Sequence, residues 1–238
     1  ALDLAEHENL RLQEEKQKMI ADISHDLKTP ITVIKGYAGA ICDGVTTPEE
    51  QKKYLETIYL RSEELTELIN EFHEYAKIDH PDNTFHFEQV DLCEFTREYF
   101  AEKYNEFDLG GYALEIEIPE KKIMVNLDQK KFKRVYDNIT GNFFKYSPPG
   151  ATFFCSIISQ DHQARIILAD NGNGIPLAIK DSVFEPFVVG EKARNQNGSG
   201  LGLPLAKKIV EAHNGSIELS KLPKQGQGTE FVVQLNTI

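Results

Sequence analysis

The chain contains no tryptophan, two methionines and three cysteines among its 238 residues. It also lacks long apolar runs. Hydrophobic residues make up 40% of the chain, but they are dispersed, and no run approaches the roughly 20 consecutive residues that cross a bilayer. No signal peptide opens the sequence. We therefore expect a globular segment that makes no direct contact with a membrane.

Basic residues are in the minority. The chain has 38 Asp and Glu residues against 26 Lys and Arg residues, and its formal net charge is −12. Because proteins bind nucleic acids through basic surfaces, this balance argues against a nucleic-acid partner.

The three cysteines are Cys42, Cys93 and Cys155, which are widely spaced and form no C-x-x-C motif. This pattern favours reduced thiols in a cytosolic compartment over a disulfide framework or a metal site. We expect all three to be packed as small hydrophobic side chains.

Residues 1–79 carry two patterns of apolar residues at steps of three and four, which predict two long amphipathic helices. The first pattern comprises Ile20, Ile23, Leu27, Ile31, Ile34, Ala38, Ile41 and Val45. The second comprises Leu55, Ile58, Ser62, Leu65, Ile69, Phe72 and Ala76, in which Ser62 is the one polar member. Pro30 lies inside the first pattern and predicts a kink or looser hydrogen bonding one turn back. Residues 43–48 interrupt the periodicity, with Thr47 as a candidate N-cap and Pro48 as a candidate first helical residue.

Two such helices predict an antiparallel hairpin, an all-α domain over residues 1–79. A two-helix hairpin cannot enclose its own apolar seam, so we expect two copies to associate as a dimeric four-helix bundle. The alternative is that the hairpin docks on the C-terminal part of its own chain. Residues 80–84 are predicted to form a linker, because Pro81 cannot continue the second helix.

Residues 85–238 change to a mixed pattern of strands and helices. The predicted strands cover residues 85–90, 113–118, 122–126, 152–159, 163–169, 216–221 and 229–235. The predicted helices cover residues 91–107, residues 128–146 and a segment that ends near residue 213. Such interleaving predicts an α/β two-layer sandwich, a mixed sheet with helices on one face.

His25 is the first candidate for chemistry. It is offset from the apolar residues Ile23 and Leu27, so its side chain is predicted to point to solvent. A neutral imidazole is a competent nucleophile. The neighbouring Asp26 could bind one ring nitrogen and leave the other free, and Thr29 lies one turn along, where it could orient a water molecule.

A second set of polar residues lies on the predicted helix 128–146. Asn138, Asn142 and Lys145 are spaced at i, i+4 and i+7, which places them on one helix face. An amide oxygen is a ligand that Mg²⁺ accepts, and a lysine pairs with phosphate oxygens. The alternative is an ordinary polar helix face.

Two glycine-rich loops follow. Residues 170–174, D-N-G-N-G, come after a predicted strand. Asp170 could accept from an exocyclic amine such as that of adenine, while Gly172 and Gly174 allow a ligand to approach the backbone. Residues 198–202, G-S-G-L-G, open a predicted helix whose free backbone amides suit phosphate. The candidate residues of this second loop are Gly198, Gly200, Leu201 and Gly202.

Five segments, in this order, resemble the motifs of bacterial sensor histidine kinases. They are residues 19–30 (the H-box), 138–146 (the N-box), 170–176 (the G1-box), 184–187 (the F-box) and 198–203 (the G2-box). The resemblance implies a dimerisation and phosphotransfer domain at residues 1–79. It implies a catalytic ATP-binding domain of the gyrase-type ATPase superfamily at residues 85–238. ATP would phosphorylate His25, and the phosphoryl group would pass to an aspartate in the receiver domain of a response regulator.

The same resemblance assigns individual roles. It implies that Asn142 holds Mg²⁺, that Asn138 supports it and that Lys145 meets the phosphates. Tyr146 would pack near the base, and Asp170 would select adenine. Because most members of the family are anchored upstream, we expect this chain to be the cytoplasmic portion of a membrane-anchored sensor kinase.

The sequence departs from the family in the lid over the nucleotide, which the F-box aromatics, including Phe187, would anchor. The family often has an arginine two places later, where this chain has Val189. Lys192 or Arg194 would then supply the positive charge that faces the γ-phosphate. Phe143 replaces the small residue that is common in the N-box.

Two other functions compete with this interpretation. A gyrase- or chaperone-like ATPase would need a general base, for which Asp137 is the nearby candidate, and it leaves the helical hairpin unexplained. The second competing function is non-enzymatic: the chain would be a degenerate family member that dimerises and signals by binding. Within the kinase interpretation, the H-D-x-x-T pattern also matches members that dephosphorylate their response regulator, with Thr29 positioning the water. The balance of kinase and phosphatase activity stays open, as does phosphorylation within or between subunits.

Overall fold

The computed structural model describes residues 2–78, 80, 83–190, 198–221, 226 and 228–238. The chain divides into two compact units, Ala1–Glu74 and Tyr75–Ile238. The first unit is helical, and the second contains strands and helices. This division falls a few residues before the predicted linker at residues 80–84, of which residues 81 and 82 lie outside the described residues.

The N-terminal unit consists of helix α1 (Leu2–Cys42) and all but the last turn of helix α2 (Pro48–Lys77). Helix α1 continues through Pro30. The turn between the helices uses Gly44 at φ +66°, a conformation that glycine adopts without a steric penalty. Helix α2 begins with a reciprocal capping box, in which Glu50 accepts from the Thr47 N–H at 2.8 Å and Thr47 Oγ1 accepts from the Glu50 N–H at 3.3 Å. The predicted hairpin and its turn are confirmed.

The apolar seam of the hairpin is largely open. Its exposed members include Ile20, Ile31, Val45, Leu55 and Ile69. Ile23, by contrast, is buried. Across the hairpin, the rings of Tyr37 and Tyr54 lie 4.4 Å apart. Among the residues that the structure describes, no helix has both the length and the apolar composition that a membrane span requires.

The C-terminal unit contains seven strands among its described residues. They are β1 (Glu88–Asp91), β2 (Ala113–Glu117), β3 (Met124–Leu127), β4 (Thr152–Gln160), β5 (Gln163–Asp170), β6 (Ser216–Leu219) and β7 (Thr229–Asn236). The helices are α3 (Leu92–Leu109), α4 (Gln129–Tyr146) and α5 (Gly202–Ala212), with a 3-10 helix at Leu177–Ser182.

The strands form two sheets. The larger has the order β2-β4-β5-β7-β6, in which β2 and β4 are parallel and the other pairs are antiparallel. The predicted mixed sheet is therefore confirmed. Strands β1 and β3 form a separate antiparallel pair, which the sequence did not predict. In the large sheet, Asp170 at the end of β5 lies opposite Thr229 at the start of β7.

The strand predicted at residues 85–90 begins later, at Glu88. The alternation of Phe85 and Phe87 has another cause, because their rings stack on each other and both lie in a T-shaped arrangement with the His213 ring. Between them, the His86 N–H donates to a carboxylate oxygen of Asp128 at 3.0 Å. Side-chain contacts, and not a strand ladder, hold this segment.

Helices α3 and α4 cover one face of the large sheet. Phe153 of β4 packs against Phe100 and Phe107 of α3 and Phe143 of α4, with ring centroids 5.2–5.8 Å apart. Each helix begins at an aspartate cap: Asp91 accepts from Cys93 N at 3.1 Å, and Asp128 accepts from Lys131 N at 3.0 Å. Phe143, the departure in the N-box, is thus a core residue.

The cysteine prediction was wrong for one residue. Cys93 and Cys155 are buried, and burial raises the pKa of both thiols. Cys42 is exposed, because it is the last residue of α1 and lies at the hairpin turn. All three thiols are free, as predicted.

Candidate functional site

His25 lies on the solvent side of α1. Its side chain is 81% exposed, and its Nδ1 atom lies 3.2 Å from Oδ1 of Asp26. A carboxylate only accepts, so a hydrogen bond between these two atoms needs the proton on Nδ1, and in the neutral ring the lone pair is then on Nε2. The geometry therefore presents a nucleophilic nitrogen to solvent.

The turn that follows His25 is bonded unusually. Pro30 has no N–H, so the Asp26 carbonyl lacks the helical partner that it would otherwise have. The hydroxyl of Thr29 donates back to the carbonyl of His25, at 3.4 Å. Thr29 is exposed, and its hydroxyl therefore lies one turn from the histidine on the solvent side of α1.

Asn138 and Asn142 of α4 have amide groups that are not fully satisfied. The Nδ2 atom of Asn138 is buried and has no hydrogen-bond partner among the described residues, while the Oδ1 atom of Asn138 lies 3.0 Å from where a Cβ on Gly202 would be. Asn142 is half-buried, and its amide makes no hydrogen bond with any described residue. Buried polar groups without partners are rare, so the buried Nδ2 atom of Asn138 favours a ligand that supplies the missing bond.

Asp137, although next in sequence to Asn138, is bound to a different helix. The hydroxyl of Tyr99 on α3 donates to Asp137 Oδ1 at 3.0 Å, and Lys103 Nζ lies 4.0 Å from the same atom. Tyr99 also hydrogen-bonds Thr140 at 2.9 Å, and burial is the main reason that its pKa is raised. Asp137 thus anchors α4 to α3. Tyr99 was not predicted as a functional residue, since nothing in its local pattern distinguishes it from a core aromatic.

Asp170 lies at the end of β5, where the predicted strand placed it. Its Oδ1 accepts from the Gly172 N–H at 2.8 Å, and its carboxylate also accepts from Thr229. Burial raises the pKa of Asp170, and these two hydrogen bonds partly oppose the shift. The Gly228 N–H donates to the Asp170 carbonyl at 2.6 Å. Thr229 and Gly228 were missed, because only sheet register brings them to Asp170.

The glycines of the first loop permit close backbone packing. Gly174 has φ +70°, and a Cβ there would lie 2.8 Å from the Gly228 carbonyl oxygen. A Cβ on Gly228 would overlap the carbonyl oxygen of Gly172. A Cβ on Gly172 would in turn lie 2.9 Å from both Asp170 Oδ1 and Ser147 Oγ. The loop therefore has no room for side chains on its inner side.

The second loop is joined to the F-box segment through its backbone. Phe187 has φ +63°, which is unfavourable for a bulky residue, and its N–H donates to the Gly200 carbonyl at 3.0 Å. A Cβ on Gly200 would lie 2.8 Å from Phe187 Cα. Leu201 is fully buried, and its N–H donates to Ser199 Oγ at 3.1 Å. Gly198 opens this loop.

Four predicted nucleotide-binding residues remain: Lys145, Tyr146, Lys192 and Arg194. Lys145 and Tyr146 lie at the C-terminal end of α4, with Lys145 Nζ 5.7 Å from the Tyr146 ring centroid. Tyr146 is 38% exposed. Lys192 and Arg194, the candidate lid cations, lie outside the described residues.

His213, which the sequence did not single out, joins the two helices that carry the candidate residues. Its Nε2 accepts from the backbone N–H of Asp128 at 3.0 Å, and its Nδ1–H donates to the Ile209 carbonyl at 2.7 Å. The first bond requires the neutral ring, because a protonated Nε2 cannot accept. Burial is the main cause of its lowered pKa; the positive charge of Lys131 adds to the shift, and Asp128 opposes it. His213 therefore fixes the end of α5 to the start of α4.

Comparison with known families gives two matches in the order of the two units. A "His Kinase A (phospho-acceptor) domain" matches residues 15–81, and a "Histidine kinase-, DNA gyrase B-, and HSP90-like ATPase" matches residues 127–237. Together they cover about three quarters of the chain. His25 falls in the first match, and residues 138–202 fall in the second.

Curated relatives agree with these matches. The sensor protein GtcS of Aneurinibacillus migulanus is 36% identical over 208 residues, which are 87% of this chain and 56% of the relative. The sensor histidine kinase WalK of Bacillus subtilis is 30% identical over 244 residues, which are 98% of this chain and 38% of the relative. The chain therefore spans about half the length, or less, of these relatives.

Solved structures confirm the fold. The histidine kinase ThkA in complex with the response regulator protein TrrA has a TM-score of 0.75 and 22% identity, covering 99% of this chain and 67% of that one. The Acinetobacter baumannii histidine kinase AdeS has a TM-score of 0.69 and 22% identity, covering 89% of this chain and 97% of that one. With a phospho-acceptor domain, an ATPase domain and relatives that are sensor kinases, the chain belongs to the sensor histidine kinase family.

Proposed function

We propose that the chain uses ATP to phosphorylate its own His25 and then passes the phosphoryl group to an aspartate of a response-regulator receiver domain. The observation that carries this proposal is the exposed imidazole whose Nδ1 is engaged by Asp26, in a chain that also contains an ATPase domain. The geometry suits transfer to Nε2, which faces solvent and has its lone pair available.

In the proposed reaction, Nε2 of His25 attacks the γ-phosphorus of ATP. A nitrogen–phosphorus bond forms, the bond from the γ-phosphorus to the bridging oxygen breaks, and ADP leaves. The attack makes the ring an imidazolium, whose Nδ1 proton passes to the Asp26 carboxylate 3.2 Å away. In phosphoryl transfer the protein acts mainly by positioning the reacting groups and by stabilising the charge on the phosphates.

The C-terminal unit is proposed to bind ATP through both loops. The carboxylate of Asp170 accepts from the exocyclic amine of adenine, and the glycines 172 and 174 let the base approach the backbone. The free amides at the start of α5, near Gly200 and Gly202, face the phosphates, where the helix dipole favours negative charge. Lys145 adds a positive charge, and Tyr146 packs near the base.

The residues present also fit a magnesium ion. The described residues contain no cluster of three His, Cys, Asp or Glu side chains that could form a protein-only metal site. Mg²⁺ commonly takes one or two protein oxygens and completes its shell with water and substrate phosphates. Asn142 would hold the ion, because its amide makes no hydrogen bond with a described residue. Asn138, whose buried Nδ2 has no partner among the described residues, would support the bound phosphates. The ion neutralises phosphate charge when bound.

We propose that the hairpin forms a homodimer and that its outer surface receives the regulator. The open apolar seam, with Ile31, Val45 and Leu55 exposed, supports association into a four-helix bundle. The partner is proposed from the ThkA–TrrA complex, in which a kinase of this fold binds a response regulator. We also propose, from the family, that the full protein is anchored in a membrane and that this segment is cytoplasmic.

Dephosphorylation of the regulator is a second proposed activity. It rests on Thr29, whose exposed hydroxyl lies one turn from His25 and could position a water molecule. A Thr29→Ala variant should keep labelling of His25 and lose the ability to speed the decay of a phosphorylated receiver domain. A variant that dephosphorylates the receiver at the wild-type rate would remove Thr29 from this role.

The kinase proposal is tested with γ-labelled ATP and Mg²⁺. We expect an acid-labile, base-stable label on the chain, and we expect it to disappear in His25→Gln and in Asn142→Ala. His73→Gln, which alters an exposed histidine on α2, is the matched control and should retain the label. Labelling that survives in His25→Gln would refute the role of His25. Release of free phosphate without a label would favour the ATPase alternative.

A further inference from the structure

Ser147 lies where the helix that carries Asn138 and Asn142 meets the first glycine loop. It is the C-cap residue of α4, and its backbone N–H donates to the Phe143 carbonyl at 2.9 Å. This cap uses only the backbone, so the hydroxyl is not needed to end the helix. The hydroxyl instead points at the D-N-G-N-G loop.

The Ser147 hydroxyl oxygen and an Asp170 carboxylate oxygen both lie next to the position that a Gly172 side chain would occupy. A Cβ at Gly172 would lie 2.9 Å from Ser147 Oγ and 2.9 Å from Asp170 Oδ1. The two oxygens are therefore less than about 6 Å apart, a gap that one ligand group or one water molecule can span.

The two oxygens differ in what they can do. The Asp170 carboxylate is a pure acceptor and is already oriented by Gly172 and Thr229. The Ser147 hydroxyl can donate, is half-buried, and makes no hydrogen bond with any described residue. A donor and an acceptor therefore face the same space, and only the acceptor is engaged.

We propose that Ser147 is a specificity-determining residue for the nucleotide base, acting beside Asp170. Adenine presents an exocyclic amine that donates, next to ring nitrogens N1 and N7 that accept. Asp170 accepts from the amine, and the Ser147 hydroxyl donates to one of these nitrogens, directly or through one water molecule. Guanine places a carbonyl oxygen opposite the carboxylate, so the pair rejects it. This inference rests on the proposed ATP site.

Binding of ADP to the full chain, measured by calorimetry, tests the proposal without phosphorylating His25. Ser147→Ala should weaken ADP binding about three- to tenfold, the effect of one net hydrogen bond. Ser147→Thr keeps the hydroxyl and should bind within about twofold of wild type. Ser156→Ala, which removes a half-buried hydroxyl on β4, is the matched control and should bind as wild type does.

Base analogues separate a hydroxyl contact from a structural effect. With 1-deaza-ADP or with 7-deaza-ADP, one of which lacks the accepting nitrogen, the difference between wild type and Ser147→Ala should vanish. A loss that persists with both analogues, an equal loss in Ser147→Thr, or unchanged ADP binding by Ser147→Ala would overturn the inference alone. Failure of the wild-type chain to bind ADP would overturn the proposed ATP site itself.

Discussion

Gly228 allows a direct test of how the nucleotide loop is built, because a side chain there meets only backbone. A Cβ atom on Gly228 would overlap the carbonyl oxygen of Gly172, and it would lie 3.0 Å from the nitrogen of Gly174. No side chain can rotate away to make room. Since carbon–oxygen contacts ordinarily need at least about 3.3 Å, Gly228→Ala must push the two segments apart by roughly 1 Å.

That displacement has a calculable cost. The hydrogen bond from the Gly228 N–H to the Asp170 carbonyl is 2.6 Å long, and a shift of about 1 Å would break it. Overpacking costs about 1–3 kcal/mol and a lost hydrogen bond about 1 kcal/mol. We expect Gly228→Ala to destabilise the C-terminal unit by about 2–4 kcal/mol. For a unit of this size, the melting temperature should fall by roughly 5–15 °C.

Differential scanning calorimetry of the full chain measures this shift, and ADP titration measures the accompanying loss of affinity. Gly141→Ala is the matched control, because Gly141 is exposed in the middle of α4 with nothing within 4 Å of its Cβ position. That change should stabilise the helix by about 0.5–1 kcal/mol. A Gly228→Ala chain that melts within about 2 °C of wild type and binds ADP equally well would refute the reasoning.

Three further predictions concern single side chains. Asp137→Asn should retain labelling of His25, because Asp137 is bound to Tyr99 and is not a general base; loss of labelling with normal folding would contradict this. The pKa of His213 is lower in the folded chain than in the unfolded chain. The neutral ring therefore adds to the free energy of unfolding above about pH 6.5. Below that pH the contribution is lost, at a slope of at most about 1.4 kcal/mol per pH unit. Urea unfolding at several pH values should show this slope reduced in His213→Gln, and equal slopes would refute it. Asp170→Asn should weaken ADP binding at least tenfold, by roughly 1.4 kcal/mol, with calorimetry as the measurement; unchanged affinity would exclude a contact with the base.

Features that depend on neighbours in sequence could be predicted well. Thr47, Pro48 and Glu50 determine the start of α2 through local hydrogen bonds, and the structure shows the complete capping box. Asp128 at the start of α4 behaves in the same way. The spacing of Asn138 and Asn142 correctly indicated one helix face, because helical periodicity is also local.

Features that depend on distant partners could not be predicted. Thr229 reaches Asp170 only because β7 pairs with β5 in one particular register. The alternation of Phe85 and Phe87 suggested a strand, but both rings pack on His213, which is far away in sequence. A local pattern reports periodicity, and it does not report which distant surface the periodic face contacts.

The same long-range contacts bear on the choice between a kinase and a hydrolytic ATPase. Asp137 is the only acidic residue in α4, whose residues 129–146 are all described. Successive helical residues point about 100° apart, so Asp137 faces Tyr99 on α3 while Asn138 faces Gly202 on α5. The Asn138 side of α4 therefore carries amides and no carboxylate that could activate water. If ATP binds on this side, as proposed, it meets no general base from α4, and we expect its hydrolysis by water to be slow.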